Sequence, residues 1–189
     1  MTGKTHQIIG ITAGLSFYLA TIKPEYAPAT LAAVVVGSHL ASLMPDLDQS
    51  AAEIWNSIPY GHVAGKVVDP FIKHRNFSHS LLGLAIFGYL IYALLHLFPE
   101  YWGINQMLVF RSMMVAYASH LLVDMLTVEG IPLLFPYKGM MGIPPRPLHG
   151  IRIITGKWFE NLVVFSVINI TLLLIIITNF EKIKLILFK

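Results

Sequence analysis

The sequence predicts an all-α membrane protein, a polytopic bundle of about five hydrophobic helices joined by two long proline-rich loops. Composition is the first ground. Of 189 residues, 56% are hydrophobic and only 12% are charged, whereas a soluble domain carries about 25% charged residues. The second ground is a mean hydropathy of +0.68. The third is five apolar stretches, at residues 7–22, 26–44, 77–98, 107–128 and 158–180. A helix needs roughly 20 apolar residues to cross a bilayer. The length suits a single membrane-embedded helical domain over residues 1–189, with no room for a separate soluble one.

The first stretch is short. It reads as a tilted span or an interfacial segment. A signal peptide fits it less well, because no small-residue cleavage site follows before Lys23-Pro24-Glu25. Gly10 and Gly14 lie four residues apart on it. On the second stretch Ala29, Ala33, Gly37 and Ala41 repeat the same spacing. Small residues at that spacing let helix backbones approach closely in lipid. Asn76 or Ser78 is placed to cap the third stretch. The third, fourth and fifth stretches meet the spanning length easily, and the second fits it.

Two connections break the helices. Residues 45–76 carry Pro45, Pro59 and Pro70, and residues 129–157 carry Pro132, Pro136, Pro144, Pro145 and Pro147. Both also hold apolar residues, Ile54-Trp55 in one and Ile131 to Phe135 in the other, so they are expected on the membrane surface or over the bundle. If all five stretches span, the N-terminus and both loops share one side. That side holds eight Lys and Arg against five on the other, which makes it cytoplasmic by the positive-inside rule. The net charge of +3 is scattered, and no basic run suggests a nucleic-acid-binding surface. The lipid bilayer is the partner that composition implies; the sequence does not specify an oligomeric state.

The ionisable residues gather on that same side. His6 opens the first stretch, Asp46 and Asp48 close the second, His74 and His79 open the third, and His120 and Asp124 close the fourth. His62 and His149 lie in the loops of that side. His39 lies about two turns deeper in the second stretch, and His96 sits on the opposite side. Charged groups in membrane helices are costly, and they are usually buried, paired and functional. His120 and Asp124, at i and i+4, project from one helical face and can grip one ion. Asp46 and Asp48 follow Pro45 on backbone expected to be non-helical, where both carboxylates can turn to one centre. With no cysteine, any metal must use imidazole and carboxylate, which suits Zn, Mn or Fe. Taken singly, each of these residues reads as an interfacial histidine or a helix-terminal acid. Their arrival from four segments at one face favours a metal or catalytic site. Glu160 opens the fifth stretch on this side, either as a site acid or as a first-turn acid favoured by the helix dipole. Arg75 is placed either to bind phosphate or to anchor at the interface.

These residues resemble the motifs of the YdjM-like family of LexA-regulated, inner-membrane, metal-dependent hydrolases. Gly37-Ser38-His39 through Met44-Pro45-Asp46-Leu47-Asp48 resembles the family's LPDxD signature. His74-Arg75-Asn76-Phe77-Ser78-His79-Ser80 resembles its HRxxxHS, and Ser119-His120 through Asp124, with Thr127 and Gly130, its SHxxxDxxTxxG. The family is held to be distantly similar to zinc-dependent phospholipase C and P1-type nucleases, helical enzymes with His and Asp around several zinc ions. The resemblance implies metal binding by His6, Asp46, Asp48, His79, His120 and Asp124, with His74 nearby as ligand or proton donor. The sequence has one HxxxD pair where those enzymes have two, so it implies one or two ions.

The expected function is hydrolysis of a phosphoester, including one on a lipid headgroup, by water activated on a divalent metal, Zn before Mn or Fe. His74 would act as general acid or base, with Asp48 the second catalytic group and Arg75 binding substrate phosphate. The rival is a non-enzymatic membrane protein using the same cluster as a structural metal site or for ions or protons. Transport would need polar residues through the full membrane depth, and here they collect at one face.

Overall fold

A computed structural model of the chain describes residues 1–21, 27–48, 77–97, 103–137 and 139–188, with the backbone alone of Asp48. The described residues form helices α1 (Gly3–Thr21), α2 (Pro28–Leu43), α3 (Leu81–Leu97), α4 (Gln106–Met125), α5 (Phe165–Thr178) and α6 (Phe180–Leu187). They contain no strand, only two isolated bridges, Thr127 to Ile153 and Ile131 to Met141. Among the described residues, three spans are long and apolar enough to cross a membrane: Pro28–Leu47, Gln106–Met125 and Phe159–Thr178. α3 is as apolar but shorter, at 17 residues. The fold is a helical membrane bundle.

Its core is a triangle of α1, α2 and α4, each packed on the other two. The first apolar stretch is therefore a central helix and not an interfacial one. Its face of Ile9, Leu15, Tyr18 and Leu19 is buried. Its hydroxyls are accommodated by bonding back along the helix, Thr12 Oγ1 donating to the Ile8 carbonyl at 2.6 Å and Ser16 Oγ to Thr12 at 2.6 Å. The close approach depends on two glycines. A Cβ at Gly10 would overlap the Ser42 side chain of α2, and one at Gly14 would overlap Ser38. Dispersion between touching backbones then holds the helices in lipid, where the hydrophobic effect offers nothing.

α3 packs on α4, and α5 lies against α1 with none of its residues buried within the chain. Leu172 and Ile175 rest half-buried against the core, and the remaining, largely exposed apolar surface of α5 faces lipid. Three local expectations are corrected. The third helix starts at Leu81 and not at residue 77, because Ser80 is its cap: Ser80 Oγ accepts from Gly83 N at 3.0 Å. Ser78 has a different role, and Asn76 lies outside the described residues. The fifth stretch opens as a π-helical segment, Phe159–Val164. It is followed, after Asn179, by α6, which the apolar pattern did not separate. Ile186 of α6 closes the core cluster of Leu15, Tyr18, Leu19 and Val34. Finally, Asp46 and Asp48 sit on a 3₁₀ turn, Met44–Asp48, which extends α2. The amide of Met44 bonds the carbonyl of Ala41, and Pro45 has no N–H with which to continue the α-helical ladder.

Candidate metal centre

Four pieces of backbone deliver side chains to one point. His6 projects from the second turn of α1. The tightened turn after α2 swings Asp46 inward. The capping turn before α3 carries His79, and the last two turns of α4 carry His120 and Asp124. His6 Nε2 lies 3.1 Å from Asp124 Oδ1. His79 Nε2 lies 3.4 Å from Asp46 Oδ1 and 3.5 Å from Asp124 Oδ2. His120 Nε2 lies 3.5 Å from Asp124 Oδ2, 3.8 Å from Asp46 Oδ1 and 3.3 Å from His79 Nε2. The rings of His6 and His120 stack, with centroids 3.6 Å apart. The Met1 amino group also contacts Asp124 Oδ1. His6, His79, His120 and Asp124 are buried, while the Asp46 side chain keeps 19% of its surface open.

A second ring of contacts orients these groups. His120 Nδ1–H donates to the Ser42 carbonyl at 2.6 Å. A carbonyl can only accept, so in the neutral ring Nε2 is a lone pair aimed at the centre. Ser78 Oγ lies 3.2 Å from His79 Nδ1, and Tyr117 Oη donates to the Ser78 carbonyl at 2.7 Å. Leu81 N bonds the Leu133 carbonyl at 2.9 Å, which ties the capping turn to the second loop. Tyr117→Phe is expected to lower thermal stability by about 1 kcal/mol, the usual worth of one buried hydrogen bond. Unfolding of the purified protein checks it, and an unchanged midpoint would mean that this bond does not hold the His79 turn.

Other residues named from sequence lie elsewhere. His39 is on α2 but not in the cluster. Its neighbours Ser38 and Ser42 occupy the face turned to α1 and α4, and His39 lies about 100° round the helix from Ser38 and about 60° from Ser42. His96 is near the far end of α3, where its Nδ1 meets the Tyr92 carbonyl at 2.8 Å. His149 is exposed in the second loop. Glu160 is neither a cluster member nor an exposed cap. It is fully buried and accepts from Thr2 N at 2.7 Å, Thr2 Oγ1 at 2.9 Å and Gly156 N at 2.7 Å, so it ties the first residues of the chain to the fifth span. An acid inside an apolar span was the signal for such a partner. His74, Arg75, His62 and the Asp48 side chain lie outside the described residues.

Chemically the cluster combines the Asp46 and Asp124 carboxylates with three imidazoles, each able to offer a lone pair or an N–H, and with the Met1 amino group on Asp124. Carboxylates this close need a cation or shared protons between them, which a metal ion, the Met1 ammonium or protonated imidazoles can supply. Among the described residues, two groups could hold a metal ion: His6, His120 and Asp124, and Asp46, His79 and His120, with donor atoms in each within 4.8 Å of one another. The imidazole and carboxylate set fits a divalent ion of the Zn, Mn or Fe type.

Comparison with known proteins agrees with a membrane role. The profile of a family described as YdjM inner membrane protein matches residues 1–186. The chain is 32% identical over 149 residues to the inner membrane protein YdjM of Escherichia coli (strain K12), covering 76% of this chain and 70% of that one. It is 31% identical over 166 residues to the uncharacterized protein YvsG of Bacillus subtilis (strain 168), covering 86% and 87%. No solved structure matches.

Proposed function

This chain belongs to the YdjM inner membrane protein family, and from that premise we propose that it is a bacterial inner-membrane, metal-dependent hydrolase acting on a phosphoester. One observation supports this most: His120 Nε2, its ring oriented by Ser42, lies 3.3 Å from His79 Nε2 between the Asp46 and Asp124 carboxylates. His6, Asp46, His79, His120 and Asp124 would hold one or two divalent ions, zinc first, with Asp48 as a further ligand. When bound, such an ion supplies Lewis-acid polarisation and an acidified water. The protein supplies orientation and exclusion of bulk water. His74 would pass a proton and Arg75 would hold substrate phosphate.

The rival is a structural metal staple, favoured by the fact that the donors come from four separate segments of chain. A staple closes the metal's coordination with protein ligands, whereas a catalytic site leaves one position open. The partial exposure of Asp46 beside otherwise buried ligands supports the open site. Metal analysis of the full chain in detergent, joined to turnover assays with a soluble aryl phosphodiester and with phospholipids, separates the two. The enzyme reading expects bound divalent metal and metal-dependent turnover of one of these. Metal-loaded protein that hydrolyses none, and that unfolds on chelation, supports the staple instead.

The site face is proposed to be cytoplasmic. Reporter fusions after residue 145 should report the cytoplasm and fusions after residue 103 the opposite side. The reverse pattern would place the substrate outside the cell membrane.

A further inference from the structure

Beyond the metal centre, the second loop carries a cavity of about 280 Å³ lined by Arg146, His149 and Arg152, with Val128, Glu129 and Met140. The three basic residues are spaced by three. Arg146 and His149 come from the 3₁₀ segment Arg146–Ile151, which is kinked at Leu148 (φ −109°, ψ 17°), and both reach the cavity wall. Arg152 follows at its C-cap. His149 Nδ1–H is fixed on the Arg146 carbonyl at 2.8 Å, which leaves Nε2 as the ring's other polar atom.

Arg152 is only 8% exposed. Its Nε donates to the Pro144 carbonyl at 2.7 Å and its Nη1 to Val128 at 3.5 Å, and no carboxylate among the described residues pairs with it. A guanidinium has five N–H donors, so this buried cation is oriented by these carbonyls but not neutralised by any described residue. Glu129, the one acid among the described residues of the cavity wall, accepts from Thr155 Oγ1 at 3.3 Å.

The same segment carries a second spacing of three. Leu148, Ile151 and Ile154 are 57%, 74% and 56% exposed. Large apolar side chains left open beside a basic cavity suit the membrane interface, where they enter the acyl boundary and the cations meet headgroups. The loop is anchored at that level: Val128 N bonds the Ile153 carbonyl at 3.1 Å and Ile153 N bonds Leu126 at 3.0 Å, directly after α4 ends.

We propose that this cavity is a binding site for the phosphate of an anionic phospholipid, seated by Arg146, His149 and Arg152 while Leu148, Ile151 and Ile154 enter the bilayer. It stands independently of the metal centre. The test uses the full chain in mixed micelles with a fluorescent phosphatidylglycerol, and phosphatidylcholine, whose phosphate is offset by its own ammonium, as the zwitterionic reference of zero net charge. Phosphatidylglycerol should bind more tightly and in a salt-sensitive manner. Arg146→Gln should weaken it about fivefold, as expected for one basic residue near a headgroup. Arg146 and His149 are exposed, so Arg146→Gln and His149→Gln test the site without the folding risk of Arg152→Gln. Bound metal should be unchanged in both. Displacement by millimolar inorganic phosphate supports a site for the phosphate group itself, and binding that resists phosphate supports a site that also needs the lipid's chains. Equal binding of the two lipids, or no loss in both exposed variants, would overturn the proposal.

Discussion

Asp124→Asn and His120→Ala are each expected to remove most of the bound divalent metal while the protein still inserts and folds. Both residues face the cluster from one helix, and each change deletes a donor without adding bulk. Loss of a mere orienting partner of a metal ligand costs about 10–100-fold in affinity. Loss of a donor itself should therefore weaken binding by more than about 100-fold. Asp124 should be the more severe, since its two oxygens reach His6 on one side and His79 and His120 on the other. His96→Ala is the control, because among the described residues His96 meets Tyr92 of its own helix, near the far end of α3. Metal content and chelator competition on the purified variants provide the readout. Full metal content in both site variants, or equal loss in His96→Ala, would remove the support for this centre.

Gly10→Leu is expected to damage packing and metal site together, and Gly14→Leu packing alone. Either side chain must intrude into α2 where no space exists. Overpacking of this kind typically costs about 1–3 kcal/mol. The two sites differ in what they displace. Gly10 faces Ser42, whose carbonyl orients His120, whereas Gly14 faces Ser38 and the backbone of Ser112. Gly10→Leu should therefore lower both the unfolding midpoint and metal affinity. Gly14→Leu should lower the midpoint with metal affinity little changed. Gly150→Ala, which has open space around it, should alter neither. Equal metal loss from both leucine variants would mean that metal affinity follows general stability and not the Ser42 contact.

The sequence by itself determined the helical membrane class, because twenty-residue apolar stretches in lipid have few other ways to satisfy their backbone. It also determined that His120 and Asp124 share a face, since four residues is close to one helical turn. Counting helix ends was enough to bring His6, Asp46 and His79 to the same end of the bundle. Only the tertiary structure decided which faces meet. His39 and Ser42 are three residues apart on α2, yet the contact at Gly10 and Gly14 turns the serine face inward and leaves the histidine out of the cluster. The orienting partner of His120 is a backbone carbonyl, which no side-chain pattern announces. Glu160 looked like a helix-end acid, and its role came from Thr2, 158 residues away in the chain. The basic residues of the second loop looked like topology signals. Burial of Arg152 without a carboxylate partner among the described residues turned them into the wall of a cavity. Helical period is a local property of the chain, but the partner of each face depends on where backbones can approach most closely, and that is a property of the whole fold.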